Sequence, residues 1–196
     1  MPAHDESVCL LKTMPSVSTI QQHDLIQGCL RNERRAQETL YKQFYQSMAI
    51  LCMRYTKNQE DANEVLQNSF LKTFQNINSY DETKSSLYTW IRTITVRCAI
   101  DFLRRKKNVN ATVALDEESG HAVEAKALQK MTSEQVLVLV RKLPETTQTV
   151  FNLYIMEGFN HREIGEMLKM SEGTSKWHLS EARKQLIKLL HAEERA

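Results

Sequence analysis

The chain is 196 residues long, room for one large domain or two small ones, and 41% of its residues are hydrophobic against 26% charged. That balance supports a packed core in a soluble protein, and no apolar run approaches the roughly 20 residues that cross a bilayer. The net charge of +2 excludes little by itself, because nucleic-acid binders are recognised by where their charge clusters.

Only five Gly and three Pro are present, which favours helices over a turn-rich β architecture. The four cysteines, Cys9, Cys29, Cys52 and Cys98, are scattered, with no CxxC and no paired His at ligand spacing. Ordinary reduced core thiols fit that distribution better than a zinc or redox site, so no metal and no cofactor is expected. Residues 1–17 have no basic start and no proper apolar run, so they are read as an N-terminal extension and not as a signal peptide. The expected location is cytoplasmic, without direct membrane insertion.

In chain order, a first helix opens with Ser18 and Gln21 in capping-box spacing and carries Ile20, Leu25, Ile26, Cys29 and Leu30. A second, from about Glu33, places Leu40, Phe44, Met48, Leu51 and Tyr55 on one stripe. A third follows Asn58 as N-cap, with Asp61 and Glu64 near its positive end and Ala62, Val65, Leu66, Phe70, Phe74 and Ile77 inward. A polar stretch of turn formers, residues 76–86, leads to a long fourth helix from about Leu87 to Lys106. Residues 108–131 are short on large apolar side chains and read as a flexible linker. Thr132 and Gln135 then cap a helix carrying Val136, Leu139, Val140 and Leu143. Pro144 stands in the first turn of the next, which runs through Met156 and closes at Gly158. The fold expected is all-α: two small helical domains, 18–107 and 132–192, joined by a linker.

Within 160–190 the pattern is tighter. Asn160 and Glu163 have capping-box spacing before a short helix from His161 to Leu168, and Gly165 permits close approach of a neighbour. A brief turn at Lys169 and Met170 precedes Ser171, a good N-cap for a helix to about Leu190. That helix buries Leu179, Ala182, Leu186 and Leu190 and leaves Gly173, Lys176, Trp177, Ser180, Arg183 and Lys184 outward. This is the layout of a helix-turn-helix that enters a major groove; a helical hairpin with a solvated basic face has the same pattern. His161 and His178 read as helix-surface residues.

Lys84, Arg92, Arg97, Arg104, Arg105, Lys106 and Lys107 against the single acid Asp101 give residues 84–107 a net charge of +6. Thr89, Thr93, Arg97 and Arg104 fall near one face of the fourth helix, a stripe suited to phosphates, although a basic helix end is often only solvated or steadied by the helix dipole. Asp101 is placed to orient Arg104 or Arg105. Trp90 is tempting as a wedge between base pairs, but it shares an apolar stripe with Leu87, Ile91, Ile94 and Cys98 and is better read as core.

Three blocks, DANEVLQNSFLKTFQNI, LYTWIRTITVRCAIDFLRRKK and LPETTQTVFNLYIMEGFNHREIGEMLKMSEGTSKWHLSEARKQL, together resemble a sigma factor of the extracytoplasmic-function type, with the order and spacing of all three carrying the likeness across about residues 20–190. SEGTSKWHLSEARKQL looks most like members from the Bacteroidetes group. The resemblance implies a transcription initiation factor that binds bacterial core RNA polymerase and promoter DNA. It also implies an anti-sigma partner and neither catalytic activity nor a small-molecule substrate. In the family's terms 18–107 would be region 2 and 132–192 region 4.

The resemblance implies that Asp61, Glu64, Gln67, Asn68 and Lys72 meet the polymerase clamp helices, Asn68 standing where the family usually has an acid. Asn78, Ser79 and Tyr80 would capture a base flipped from the −10 element, where stacking and hydrogen bonds must return the cost of extraction. Lys84, Thr93, Arg97, Arg104 and Arg105 would hold the strand, with Arg97 replacing a frequent Asn. The −35 reader would present Ser171, Glu172, Thr174, Lys176, Trp177, His178, Ser180, Arg183 and Lys184. Lys169 occupies a turn position where the family commonly has Gly, Ser175 replaces a usual core Val, and Trp177 and His178 replace a smaller and a basic residue. A nucleic-acid enzyme lacks support, since no acidic cluster, nucleophile–base pair or phosphate-binding Gly loop has context. A single helix-turn-helix regulator, the alternative reading, leaves 20–107 unexplained.

Overall fold

The computed structural model describes residues 19–109 and 138–193, all helix and turn with no strand among them. The capping boxes expected at Ser18 and Thr132, and the linker at 108–131 beyond Val109, lie outside the described residues. The chain forms two compact units, Met1–Gln43 and Phe44–Ala196.

In the first unit, α1 (Thr19–Leu30) buries Ile26 and Cys29. It turns through Asn32, whose φ of 57° is a left-handed conformation that Asn tolerates. A Cβ on Gly28 would stand 2.6 Å from the Ala36 Cβ, so glycine sets how closely α1 meets the start of α2 (Arg34–Tyr55).

Along α2, Leu40, Phe44, Met48, Leu51 and Tyr55 are all buried, the stripe expected from periodicity. α3 (Gln59–Gln75) begins where Asn58 accepts from the Asp61 amide at 2.8 Å, and it buries Ala62, Val65, Leu66 and Phe70. Its partner is α4 (Leu87–Val109), packed along it. Between them, a 3₁₀ turn at Ile77–Ser79 plugs Ile77 into the core. α4 opens on Ser86, whose Oγ accepts from the Thr89 amide at 3.2 Å. The Thr95 hydroxyl of α4 donates to the Ile91 carbonyl and reaches Met48 Sδ of α2 at 3.4 Å, which satisfies a buried polar group. Cys29, Cys52 and Cys98 are buried free thiols, and burial pushes Cys52 up to about 12, far from reactive.

Residues 138–141 are helical, and α5 (Glu145–Phe151) follows. Pro144 stands at the N-cap with φ −54° and ψ 144°, one position before the first turn where the sequence suggests it. The single helix expected through Met156 is a composite: α5 passes into a π turn, Asn152–Met156, closed by the Glu157 amide on the Asn152 carbonyl at 3.1 Å. Gly158, at φ 78°, ends it as anticipated. α6 (His161–Leu168) and α7 (Glu172–Glu193) complete the fold, both packed together and α7 also on α5.

Candidate nucleic-acid interface

The turn between α6 and α7 is built from local chemistry. Asn160 accepts from the Glu163 amide at 2.9 Å while the Glu163 carboxylate accepts from the Asn160 amide at 2.8 Å, a full capping box. Lys169 ends α6 in the left-handed region, φ 55° and ψ 47°, a strain on the order of 1 kcal/mol for a non-glycine residue. Gly165 makes room for this turn: a Cβ there would lie 2.7 Å from the Met170 carbonyl oxygen. Ser171 then caps α7, its Oγ 3.0 Å from the Thr174 amide.

α7 buries Leu179, Ala182, Leu186 and Leu190, the four expected. Lys176 and Arg183 are exposed, and Lys176 pairs with Glu172 one turn earlier at 2.6 Å. That hydrogen bond holds the Glu172 carboxyl below its ordinary range. Trp177, Ser180 and Lys184 are half-buried at the edge of this face.

His178 departs from expectation. It is 6% exposed, with Nδ1 3.0 Å from the Thr147 hydroxyl on α5, and therefore holds α7 to α5 instead of facing a groove. It is expected as a helix-surface residue, but α7 is embraced from two sides, and its buried arc is wider than the four Leu/Ala positions define. His161 is likewise not a free surface residue. It is half-buried, stacked on Tyr154 at 4.5 Å, with Nδ1 3.0 Å from Ser175 Oγ. Burial, then the neighbouring Lys176 charge, push His161 below its ordinary pKa. Ser175, fully buried, is thus satisfied by His161 and keeps α7 seated without an apolar side chain.

On α4, Thr89 and Arg97 are exposed, and Thr93 and Arg104 half-buried on the same side. Asp101 pairs with Arg104 at 3.6 Å, as its spacing suggests, and also with Lys72 of α3 at 3.4 Å. The basic end of α4 reaches back to the acidic start of α3: Lys106 to Asp61 at 2.6 Å and Arg105 to Glu64 at 3.3 Å. Glu64 and Gln67 remain exposed. In the connecting loop Asn78 and Ser79 are exposed, Lys84 pairs with Asp81 at 3.2 Å, and Tyr80 donates to the Ser85 carbonyl. Trp90 is half-buried, its ring 5.5 Å from that of Tyr80, so it props the loop and is not sealed into the helix core.

Two family models match: Sigma-70 region 2 over residues 40–109 and Sigma-70 region 4 over residues 133–186. The chain is 24% identical over 182 residues to the RNA polymerase sigma-H factor of Pseudomonas aeruginosa, covering 87% of this chain and 94% of that one. It is 29% identical over 152 residues to the ECF RNA polymerase sigma factor SigW of Bacillus subtilis, 71% and 81% of the two chains. Among solved structures it is similar to the sigma factor RpoE in complex with the anti-sigma factor NepR from Bartonella quintana, at 16% identity and TM-score 0.48, over 79% of this chain and 96% of that one. The chain belongs to the extracytoplasmic-function branch of the sigma-70 family. It is a promoter-directing transcription initiation factor.

One group of residues in this sigma factor has no counterpart in the sequence reading. Glu157, at the end of the region 4 π turn, has a side chain only 4% exposed and lies 2.9 Å from Arg92 and 3.9 Å from Arg54 of region 2. Burial raises its carboxyl pKa against the opposing pull of both guanidiniums. Gln148 and Asn152 each donate to the Arg54 carbonyl at 2.7 Å, and Lys57 donates to the carbonyls of Arg141 and Leu143 at 2.8 Å. The only hint in the sequence is a charge, Arg54, within the apolar run from Leu51 to Tyr55.

Proposed function

We propose that this sigma factor grips a promoter at two points. Region 4 reads −35 duplex through Ser171, Glu172, Thr174, Lys176, Trp177, Ser180, Arg183 and Lys184. Region 2 takes a −10 base with Asn78, Ser79 and Tyr80 and holds the strand with Lys84, Thr93, Arg97, Arg104 and Arg105. His178 is left out of the reading surface because it is buried against Thr147. The polymerase face is assigned to Asp61, Glu64, Gln67, Asn68 and Lys72 on α3, with domain limits of 18–107 and 132–192.

The observation that carries the reading is the division of α7. Its apolar arc is buried on α5 and α6, while Lys176 and Arg183, seven residues and about two turns apart, stand exposed on the opposite side. A basic exposed face on a capped helix after a left-handed turn is suited to phosphate and base-edge contacts in a major groove.

An anti-sigma protein fits the company of its relatives, and the α7 sequence supports a Bacteroidetes-like origin. No chemistry of its own is assigned to the chain, and its place of action is the cytoplasm, where the polymerase is; no helix among the described residues is long and apolar enough to cross a membrane. The test is transcription reconstituted from purified core polymerase, this chain and a promoter mapped by transcript starts after overexpression. Promoter-dependent initiation is expected, and failure to form a stable complex with core polymerase would sink the proposal.

A further inference from the structure

His161 opens α6, and its contacts carry it to the foot of the α7 face proposed for the duplex. Its Nδ1 lies 3.0 Å from the Oγ of Ser175, the residue directly before Lys176. Its ring is stacked on that of Tyr154 with 22° between the planes, so the imidazole is clamped from the π turn on one side and from α7 on the other. The clamp leaves it half-buried, in place but open to solvent on one side.

The charges around the ring come chiefly from α7. Lys176 and Arg183 oppose a proton on it, and Glu172 favours one. From the π turn it meets only the Tyr154 ring, which brings no formal charge. On its own helix Arg162 is engaged with Glu166 at 3.4 Å, and Glu163 with the Asn160 amide at 2.8 Å. Burial and the two α7 cations therefore hold the free ring neutral.

A duplex on this face changes that balance. Lys176 and Arg183 are the exposed cations assigned to phosphates, and a phosphate beside either offsets the charge that opposes the proton. The bond to Ser175 survives the change, because a hydroxyl donates to a neutral ring nitrogen and accepts from a protonated one. Histidine is also the side chain whose charge changes within the physiological range.

We propose that His161 takes up a proton as region 4 seats on duplex DNA and joins Lys176 and Arg183 as a further cation beneath the phosphates, so that −35 binding tightens as pH falls. The proton comes from solvent, and no bond of the DNA changes. This role rests on the assignment of the −35 duplex to the exposed face of α7.

The test uses the full chain and a labelled duplex carrying the −35 element of a promoter mapped by transcript starts. Affinity is measured at constant salt from about pH 8 to about pH 6. If the duplex strengthens proton binding by the ring about tenfold, duplex affinity rises by at most the same factor, beginning as pH falls through the pKa of the bound form. Calorimetry in two buffers of different ionisation enthalpy should register net proton uptake on binding. His161→Gln keeps a polar partner for Ser175 but takes no charge, and it is expected to lose both the rise and the uptake. A purely structural role would lower affinity by the same factor at every pH. The same slope in His161→Gln as in wild type overturns the proposal. Nuclear magnetic resonance of the wild-type imidazole needs no variant: its titration should move to higher pH when duplex is added, and an unmoved titration overturns the proposal even if His161→Gln does not fold. Lys176→Glu with Arg183→Glu tells the two failures apart. Duplex affinity indifferent to that pair overturns the α7 assignment and this role with it; affinity that falls beside a flat wild-type pH profile overturns the role of His161 alone.

Discussion

The helix assigned to the −10 strand and the helix assigned to the −35 duplex begin in the same way and then diverge. In α4 the Ser86 hydroxyl caps the Thr89 amide and meets its hydroxyl at 2.9 Å; in α7 Ser171 does the same with Thr174 at 2.8 Å. Beyond the first turn, α7 pairs its exposed charge within itself, Lys176 with Glu172. α4 pairs its basic end with another helix, Lys106 with Asp61 and Arg105 with Glu64. The face proposed for the −35 duplex is therefore self-contained. The helix proposed for the −10 strand shares its cations with the acids proposed for polymerase docking, so the two proposed surfaces are electrostatically joined.

The largest expected effect comes from breaking the scaffold under α7. Ile164 is fully buried between α6 and its neighbours, and Ile164→Ala should cost about 2–5 kcal/mol in urea unfolding. Duplex binding should fail with it; retention of full stability would show that α6 does not brace α7.

Reversing the self-contained charges is the next step. Lys176→Glu with Arg183→Glu should weaken −35 duplex binding and flatten its salt dependence by about two units of slope, with core polymerase binding retained. Equal loss of both activities would refute the division of labour between regions. The complementary pair, Glu64→Ala with Gln67→Ala, should weaken capture by core polymerase in a pull-down while leaving −35 duplex affinity of the full chain unchanged. A parallel fall in duplex affinity would break the comparison from the other side.

Smaller effects test the turn and its histidine. Lys169→Gly should relieve left-handed strain and raise stability by up to about 1 kcal/mol, less the entropy that glycine loses on folding. For His161 the folded pKa lies below the unfolded value of 6.5. The unfolded state then binds the proton more readily, so its contribution is complete above 6.5 and lost as pH falls from there through the folded pKa. Urea midpoints measured on acidification should show a shallow loss in wild type that His161→Gln lacks. The same slope in both would assign the loss to other groups.

Much of this protein was readable one element at a time. Caps at Asn58, Asn160 and Ser171, the stop at Gly158, the buried stripe of α2 and the limits of α6 all depend on residues within a turn or two of one another, so spacing alone reveals them. So does the helix-turn-helix, because its turn and its apolar arc are local patterns. The misread residues are those decided by a second neighbour. His178 reads as a surface residue because it is polar, and α5 arriving with Thr147 gives it the partner that makes it a buried joint. Trp90 sits on an apolar stripe, yet Tyr80 from the loop draws it to the edge of the core.

Charges one turn apart, such as Asp101 with Arg104 and Glu172 with Lys176, pair as their spacing suggests, but the tertiary structure decided the fate of those that pair at long range. Lys106 finds Asp61 from 45 residues away, Arg92 meets Met156 from 64, and Gln148 reaches Arg54 from 94. A charge in a sequence has many possible partners, and electrostatics at range carries no register; packing of the apolar faces selects one partner by position. By itself the sequence determined which helices form and which of their faces are apolar. The packing of those faces determined that Glu157, an unremarked acid between a helix and a glycine, is buried between two arginines of another region.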